Sequence, residues 1–241
     1  MFISEIGLNH KGSETRAFKM LRELIGTNID AITFQVLEPT RYEKIKEWGK
    51  PLSKDFYKDA IDFAHKNNKL MGFTITDKNM IPFLDSAGAD FWKSLSTSVS
   101  DNALLEKLQR TNKPIFIATG ISSEGEIVKI SKKLKNIKFI HTQLSQKVED
   151  TNLKAIGRLG RLTNKEIAFG LHCSEHDVLY MSVAFEPSDI FFYVKGNSQE
   201  KFPDDEHAII IDNVDNLVKT LKKLKKALGS GIKEKMGIKL K

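Results

Sequence analysis

The chain has one cysteine, Cys173, in 241 residues. A lone thiol excludes an internal disulfide and fits a reducing compartment. No apolar run approaches the roughly 18 residues that would mark a membrane-spanning helix. The N-terminus lacks the charged, apolar and small-residue succession of a secretory signal, and its first apolar residues already read as a strand. A cytoplasmic protein is expected, with no membrane partner. No Gly-x-Gly-x-x-Gly follows any strand-like run, which weakens a dinucleotide-binding reading. The net charge of +7 is concentrated at one end. Residues 219–241 hold nine lysines and one acid, Glu234, a balance of +8 that leaves the remainder at −1. This basic stretch has no interleaved aromatics and no nucleic-acid motif, so it reads as a solvated helix and tail, and no nucleic-acid partner is expected.

What is present is regular. With 40% hydrophobic and 29% charged residues, the chain can build a core under a polar surface. Strand-like segments at Phe2–Leu8, Ala31–Leu37, Leu70–Ile75, Phe91–Leu95, Pro114–Thr119, Lys138–Leu144, Glu166–Leu171 and Ile190–Lys195 alternate with helix-like ones. The last helix carries a stripe of Val214, Leu217, Val218, Leu221 and Leu224 at helical spacing. Alternating strands and helices imply a parallel sheet. Eight such units in about 250 residues predict an α/β fold of the closed (β/α)8 TIM-barrel type. A doubly wound open sheet is the second choice. The barrel is expected to occupy 1–229 as a single domain, with 230–241 as a basic C-terminal tail after Gly229-Ser230-Gly231.

Such barrels keep their chemistry at the C-terminal ends of the strands. Polar residues fall at those ends throughout: Glu5, Asn9 and His10; Thr33 and Gln35; Thr74 and Thr76; Lys93, Ser96 and Ser98; Thr119; His141 and Gln143; His172, Cys173, Ser174 and His176; Tyr193 and Lys195. The last connection adds Asp204, Glu206 and His207. One mouth would gather up to five of the six histidines, leaving His65 on a helix.

Several ordered motifs resemble the sialic acid (N-acetylneuraminate) synthase family over nearly the whole chain. They are Glu5-Ile6-Gly7-Leu8-Asn9-His10-Lys11-Gly12, Phe34-Gln35, Lys93 with Ser96 before Asp101-Asn102, Lys113-Pro114 through Ala118-Thr119-Gly120-Ile121-Ser122, Ser174-Glu175-His176, and Pro203-Asp204 with His207-Ala208-Ile209. The resemblance implies a barrel that condenses phosphoenolpyruvate with an N-acylated hexosamine aldehyde for surface glycans. It implies a divalent metal, manganese or magnesium, acting as a Lewis acid. By the same carry-over, Lys93 and Ser96 grip phosphoenolpyruvate with help from Ser174, and Glu5 handles protons. Gln35 and Asp204 contact the sugar, and His176 is a metal ligand. Asn9, His10, Thr119, Lys195 and His207 complete the expected substrate-binding set.

The chain departs from the family pattern at defined places. Thr33 replaces the second-strand lysine, Ala118 a serine, Leu144 an asparagine, and Val194 the second metal histidine. A counterpart of the family's small C-terminal antifreeze-like domain is not expected here, so a lid is expected from a homodimer or another partner chain. Lys195 stands beside Val194 and offers a fixed positive charge in place of metal. His172, Cys173 and His176 with His207 or Glu206 form an alternative metal set, against a bland reading as strand-end polar residues. Glu5 and Lys93 each have a structural alternative, as a satisfied interior carboxylate and an ion-pair partner. Three functions stay open: a divergent synthase, a repurposed barrel that binds a sugar, an anion or a partner synthase, and an unrelated metal enzyme using His172, His176 and His207.

Overall fold

A computed structural model describes residues 1–197 and 199–233. Of the expected tail, 234–241 lies outside the described residues. In chain order the elements are β1 (Phe2–Gly7), α1 (Glu14–Ile25), β2 (Ala31–Val36), α2 (Pro39–Lys44), α3 (Lys54–Lys66), β3 (Leu70–Ile75), α4 (Ile81–Ala87), β4 (Phe91–Ser94), α5 (Asn102–Gln109), β5 (Ile115–Ala118), α6 (Glu124–Lys133), β6 (Ile137–His141), α7 (Ala155–Thr163), β7 (Ile167–Gly170), α8 (Val178–Ser182), β8 (Ile190–Lys195), β9 (Ile209–Ile210) and α9 (Ile211–Ala227). Strands β1 to β8 pair in sequence order, and β1 also pairs with β8, so the sheet closes. Every pairing is parallel. This is the expected single-domain (β/α)8 barrel.

The boundaries differ from the sequence reading for local reasons. The sixth strand stops at His141 instead of running to Leu144, and His141 Nε2 meets the Thr151 carbonyl at 2.9 Å. Helix α7 begins only at Ala155, after Asn152 adopts a left-handed φ of 47° that no α-helix accepts. Two elements were not expected: α2 in the β2–α3 connection, and β9, which pairs Ile209 with Val194 at the end of β8. Three helices, α1, α3 and α6, start at a serine cap. Ser13, Ser53 and Ser123 each accept a backbone N–H three residues on, and Ser123 forms a full capping box with Glu126.

Period-two alternation sorts the strand side chains into two environments. Outward residues such as Ile6, Ile32, Phe34, Met71, Phe73, Trp92, Ile117 and Phe139 form the large core beneath the helices. Inward residues fill the barrel in layers. The lower layer is apolar: Ile3, Ala31, Phe91, Phe116, Ile140, Ala168 and Phe191. Phe116 packs edge-on against Phe91 and Phe191, with centroids 5.4 and 5.0 Å away. Gly72 leaves the space that the Phe91 ring occupies. Two residues further along the strands the inward positions turn polar, with Glu5, Thr33, Thr74, Lys93 and Tyr193. An aromatic plug therefore forms the floor of a polar chamber.

Candidate active site

At the chamber's centre Lys93 Nζ donates to both oxygens of Glu5, each at 2.6 Å. The pair is 4% and 2% exposed. Glu5 Oε1 also accepts from Thr33 Oγ1 at 3.3 Å and Thr74 Oγ1 at 3.4 Å. The register brings these groups together: Glu5 lies opposite Thr33 on one side and Tyr193 on the other, and Thr74 lies opposite Lys93. The ammonium also sits 5.3 Å from the Phe191 ring and 5.5 Å from that of Tyr193. Glu5 and Lys93 are thus each other's ion-pair partner. The Tyr193 hydroxyl accepts from Gln35 Nε2 at 3.3 Å. Burial, and then the Glu5 carboxylate, hold that phenol well above its ordinary pKa.

Asp204 forms the next wall. Its backbone N–H donates to Asn9 Oδ1 at 3.0 Å, while Asn9 Nδ2 donates to the Val194 carbonyl at 2.7 Å. Both ends of the Asn9 amide are spent holding the loop after β8 against β1. Asn9 therefore holds Asp204 in place. The Asp204 side chain is about one-fifth exposed by area, yet its Oδ2 is buried without a partner. Burial first, then the Glu5 charge, push its pKa up to about 7, against a downward pull from Lys93. The absence of a side chain at Gly7, whose φ is 57°, makes room for this carboxyl and for Tyr193.

His172, His207 and Tyr193 stack together. The two imidazole centroids are 4.7 Å apart, and Tyr193 lies 5.6 Å from His172 and 5.0 Å from His207. Burial, His207 and Lys93 lower His172 to about 3. Burial, then His176, Lys93 and Lys195, lower His207 to about 4. Both rings are neutral at pH 7. His207 Nε2 has no partner and stands 4.0 Å from Asp204 Oδ1. Its Nδ1 meets Gln146 Nε2 at 3.4 Å.

The other expected site residues are less convergent. His176 Nε2 is engaged by the His207 carbonyl at 3.2 Å. His10 accepts from the Gly12 N–H on Nδ1 and tilts against Phe34, in the layer outside the barrel. Burial and Arg16 lower it to about 4. His141 is held by the Thr151 carbonyl, and burial lowers its pKa. Thr119 Oγ1 donates to the Ile140 carbonyl at 2.9 Å. Ser96 Oγ accepts from the Gly120 N–H at 3.0 Å. Ser174 is exposed, with Oγ donating to the Gln146 carbonyl. Lys195 Nζ donates to the Asp205 carboxylate and carbonyl at 2.7 and 2.8 Å, so its charge is compensated. Gln146 and Asp205 were not among the expected residues. Asp205 was within reach of the sequence reading, as the residue after the Pro203-Asp204 motif.

Among the described residues no three His, Cys, Asp or Glu side chains form a group able to hold a metal ion. His172 and His207 come together, but His176 turns to a backbone carbonyl. In this arrangement neither His176 with His172 nor the set His172, His176 and His207 fits the three protein ligands usual at a catalytic metal.

The NeuB family model matches residues 22–233. The chain belongs to the NeuB family. Relatives of this NeuB-family chain include an uncharacterized protein of Methanocaldococcus jannaschii, 27% identical, with the match covering 96% of this chain and 72% of that one. The N,N'-diacetyllegionaminic acid synthase of Campylobacter jejuni is 23% identical, with 97% and 79% covered. A crystal structure of the N-acetylneuraminic acid synthetase of Leptospira borgpetersenii superposes with a TM-score of 0.88 at 23% identity, covering 98% of this chain and 87% of that one. This likeness establishes the shared barrel. Among the described residues no helix is long and apolar enough to cross a membrane.

Proposed function

We propose that this NeuB-family barrel is a sugar-acid synthase that condenses phosphoenolpyruvate with the aldehyde of an N-acylated hexosamine. The observation that carries the reading is the buried Glu5–Lys93 pair, set in a polar chamber above the aromatic floor and beside Asp204. C3 of phosphoenolpyruvate attacks the aldehyde carbon and a carbon–carbon bond forms. The aldehyde oxygen takes up a proton. Water adds at C2 and loses one proton, which balances the one taken up by the aldehyde oxygen. The C2–O bond to phosphate then breaks, and its electron pair leaves with inorganic phosphate. The remaining C2 hydroxyl gives its proton to that phosphate as the 2-keto sugar acid forms.

Each group has a fitting task. Lys93 is the chamber's central cation, and an arriving carboxylate or phosphate competes with Glu5 for it through charge-assisted hydrogen bonds. Glu5, once released, is placed to handle protons. Ser96 and Ser174 add donors at the rim. Gln35 and Tyr193 offer an amide and a hydroxyl to the sugar. A carboxyl with a pKa of about 7 and a free oxygen suits Asp204 to donate a proton to the aldehyde oxygen as charge develops there. A homodimer, or a partner chain over the mouth, would exclude water from this open face.

A second reading is favoured by one observation. Both cations of the mouth are already paired, Lys93 with Glu5 and Lys195 with Asp205. With Thr33 in the place of a lysine, that pattern also suits a barrel repurposed to bind a neutral sugar or a protein. Calorimetric titration of phosphoenolpyruvate, with and without manganese, separates the two. Micromolar binding, followed by phosphate release on adding N-acetylmannosamine, is the expected result. No binding at millimolar ligand would remove the synthase reading and leave the repurposed barrel.

A further inference from the structure

The resemblance implies a divalent metal that polarises the aldehyde, but the groups standing where such an ion would bind are committed elsewhere. The position of the second metal histidine is Val194, which is fully buried, and its carbonyl accepts from Asn9 Nδ2 at 2.7 Å. His176 Nε2 donates to the His207 carbonyl at 3.2 Å, so that nitrogen carries a proton and offers no lone pair. Cys173 is buried in the apolar layer outside the barrel, with Sγ donating to the Glu175 carbonyl at 3.5 Å. Glu5 and Asp205 each already face a lysine, at 2.6 and 2.7 Å. A dication brought here would stand among two ammonium groups whose counter-charges are in use.

What stays uncommitted is a pair on one turn. Asp204 Oδ2 and His207 Nε2 are both buried without a partner, and His207 Nε2 stands 4.0 Å from Asp204 Oδ1. Buried polar atoms left unpaired are costly, and a catalytic role is one reason a fold keeps them. The turn is braced throughout. The His207 and Ala208 N–H groups donate to the Asp204 carbonyl at 3.3 and 2.9 Å. Asn9 ties its start, and the pairing of Ile209 with Val194 ties its end. The His207 ring is wedged between His172 and an edge-on Tyr193. On its far side Nδ1 meets Gln146 Nε2 at 3.4 Å. An amide N–H there makes Nδ1 the acceptor and leaves the imidazole proton on Nε2. Gln146 is itself anchored, its carbonyl accepting from the Ser174 N–H and Oγ at 3.2 and 3.3 Å. An imidazole N–H is thus aimed at the Asp204 carboxyl before any substrate arrives.

We propose that this barrel activates its aldehyde without a divalent metal, and that the Asp204–His207 pair takes the place of the Lewis acid. This rests on the condensation reading. Asp204 gives its proton to the aldehyde oxygen as the carbon–carbon bond forms. The carboxylate left behind accepts from His207 Nε2–H, closing the gap toward the roughly 2.8 Å of a charge-assisted hydrogen bond. That bond strengthens only as the proton leaves, so it lowers the barrier more than it stabilises the bound substrate. The proton lost by water at C2 returns to Asp204, and the imidazole stays neutral throughout. His207 acts through Asp204 and is a positioning residue. Lys93 remains free for the anionic substrate.

Metal binding and turnover are measured separately on the intact chain. Manganese is mixed with excess protein, alone and with phosphoenolpyruvate and N-acetylmannosamine, and the EPR signal of the free ion is followed. It should match that of the same mixture without protein. Phosphate release from phosphoenolpyruvate is then compared in EDTA and in manganese, and the two rates should agree. His207→Phe should lower kcat about a hundredfold with KM for phosphoenolpyruvate unchanged. His207→Gln, which keeps an N–H donor, should recover most of that loss. Micromolar manganese binding, or turnover that requires the metal, overturns this inference and leaves the condensation standing. His207→Phe as active as the parent, or His207→Gln no better than His207→Phe, overturns the role of the pair. No phosphate release with or without metal overturns the condensation and this inference together.

Discussion

Glu5 and Lys93 are 88 residues apart in the chain and 2.6 Å apart in the barrel. Burying two charges is costly, and their attraction repays it only when the remaining hydrogen-bonding capacity is met. Thr33 and Thr74 help meet it for Glu5. Removing one partner strands the other charge. Glu5→Gln or Lys93→Met should each cost about 3–5 kcal/mol, while the double variant should cost clearly less than the sum. Urea unfolding of the four proteins measures the coupling, and additive losses would show that the pair acts as two independent residues. The sequence marked both residues as candidates, since each stands at a strand end in a motif. It did not reveal that they neutralise one another, because that depends on barrel closure and on Thr33 occupying a lysine's place. Asn9 is similar: its position was legible, but its task of tying Asp204 to Val194 depends on a contact spanning 195 residues.

At the level of the element, alternation carried most of the information. Inward and outward faces of each strand follow from a period of two, and the strands' order follows from their regular alternation with helices. The connections were less legible. Residues 39–50 have no apolar periodicity, so α2 and the turn that presents Trp48 could not be read from the pattern. Interior packing was also hidden, because a glycine in a strand does not announce what fills its space. Gly72 on β3 admits the Phe91 ring to the barrel floor, where an added methyl would collide with it. Gly72→Ala should lose about 1–3 kcal/mol through overpacking. Gly72→Ala with Phe91→Leu should recover part of that loss in thermal unfolding. If the second substitution only adds to the damage, the floor is not limited by this contact.

Across the whole molecule, burial has opposite consequences for imidazoles and carboxyls, and the balance sets the response to acid. His10, His172 and His207 are lowered to about 4, 3 and 4 from 6.5. Between pH 6.5 and those values the unfolded chain binds protons at these sites and the folded chain does not. The stability they allow above pH 6.5 is therefore lost as pH falls toward 4. Asp204 runs the other way. Its pKa is raised to about 7 from 3.8, so the folded chain keeps a proton that the unfolded chain releases. The resulting penalty is complete above pH 7 and is relieved as pH falls toward 4. These three groups, and His141 with its burial-lowered imidazole, lose stability across this window while Asp204 regains it, so the melting temperature should drop between pH 7 and pH 4.5. Asp204→Asn, which removes the opposing group, should make the drop steeper. The comparison tests the balance itself: a melting temperature that holds or rises on acidification would mean the imidazoles are not kept neutral in the folded barrel. An Asp204→Asn curve parallel to the parent would mean that this carboxyl, despite its unpartnered oxygen, titrates as it does in the unfolded chain.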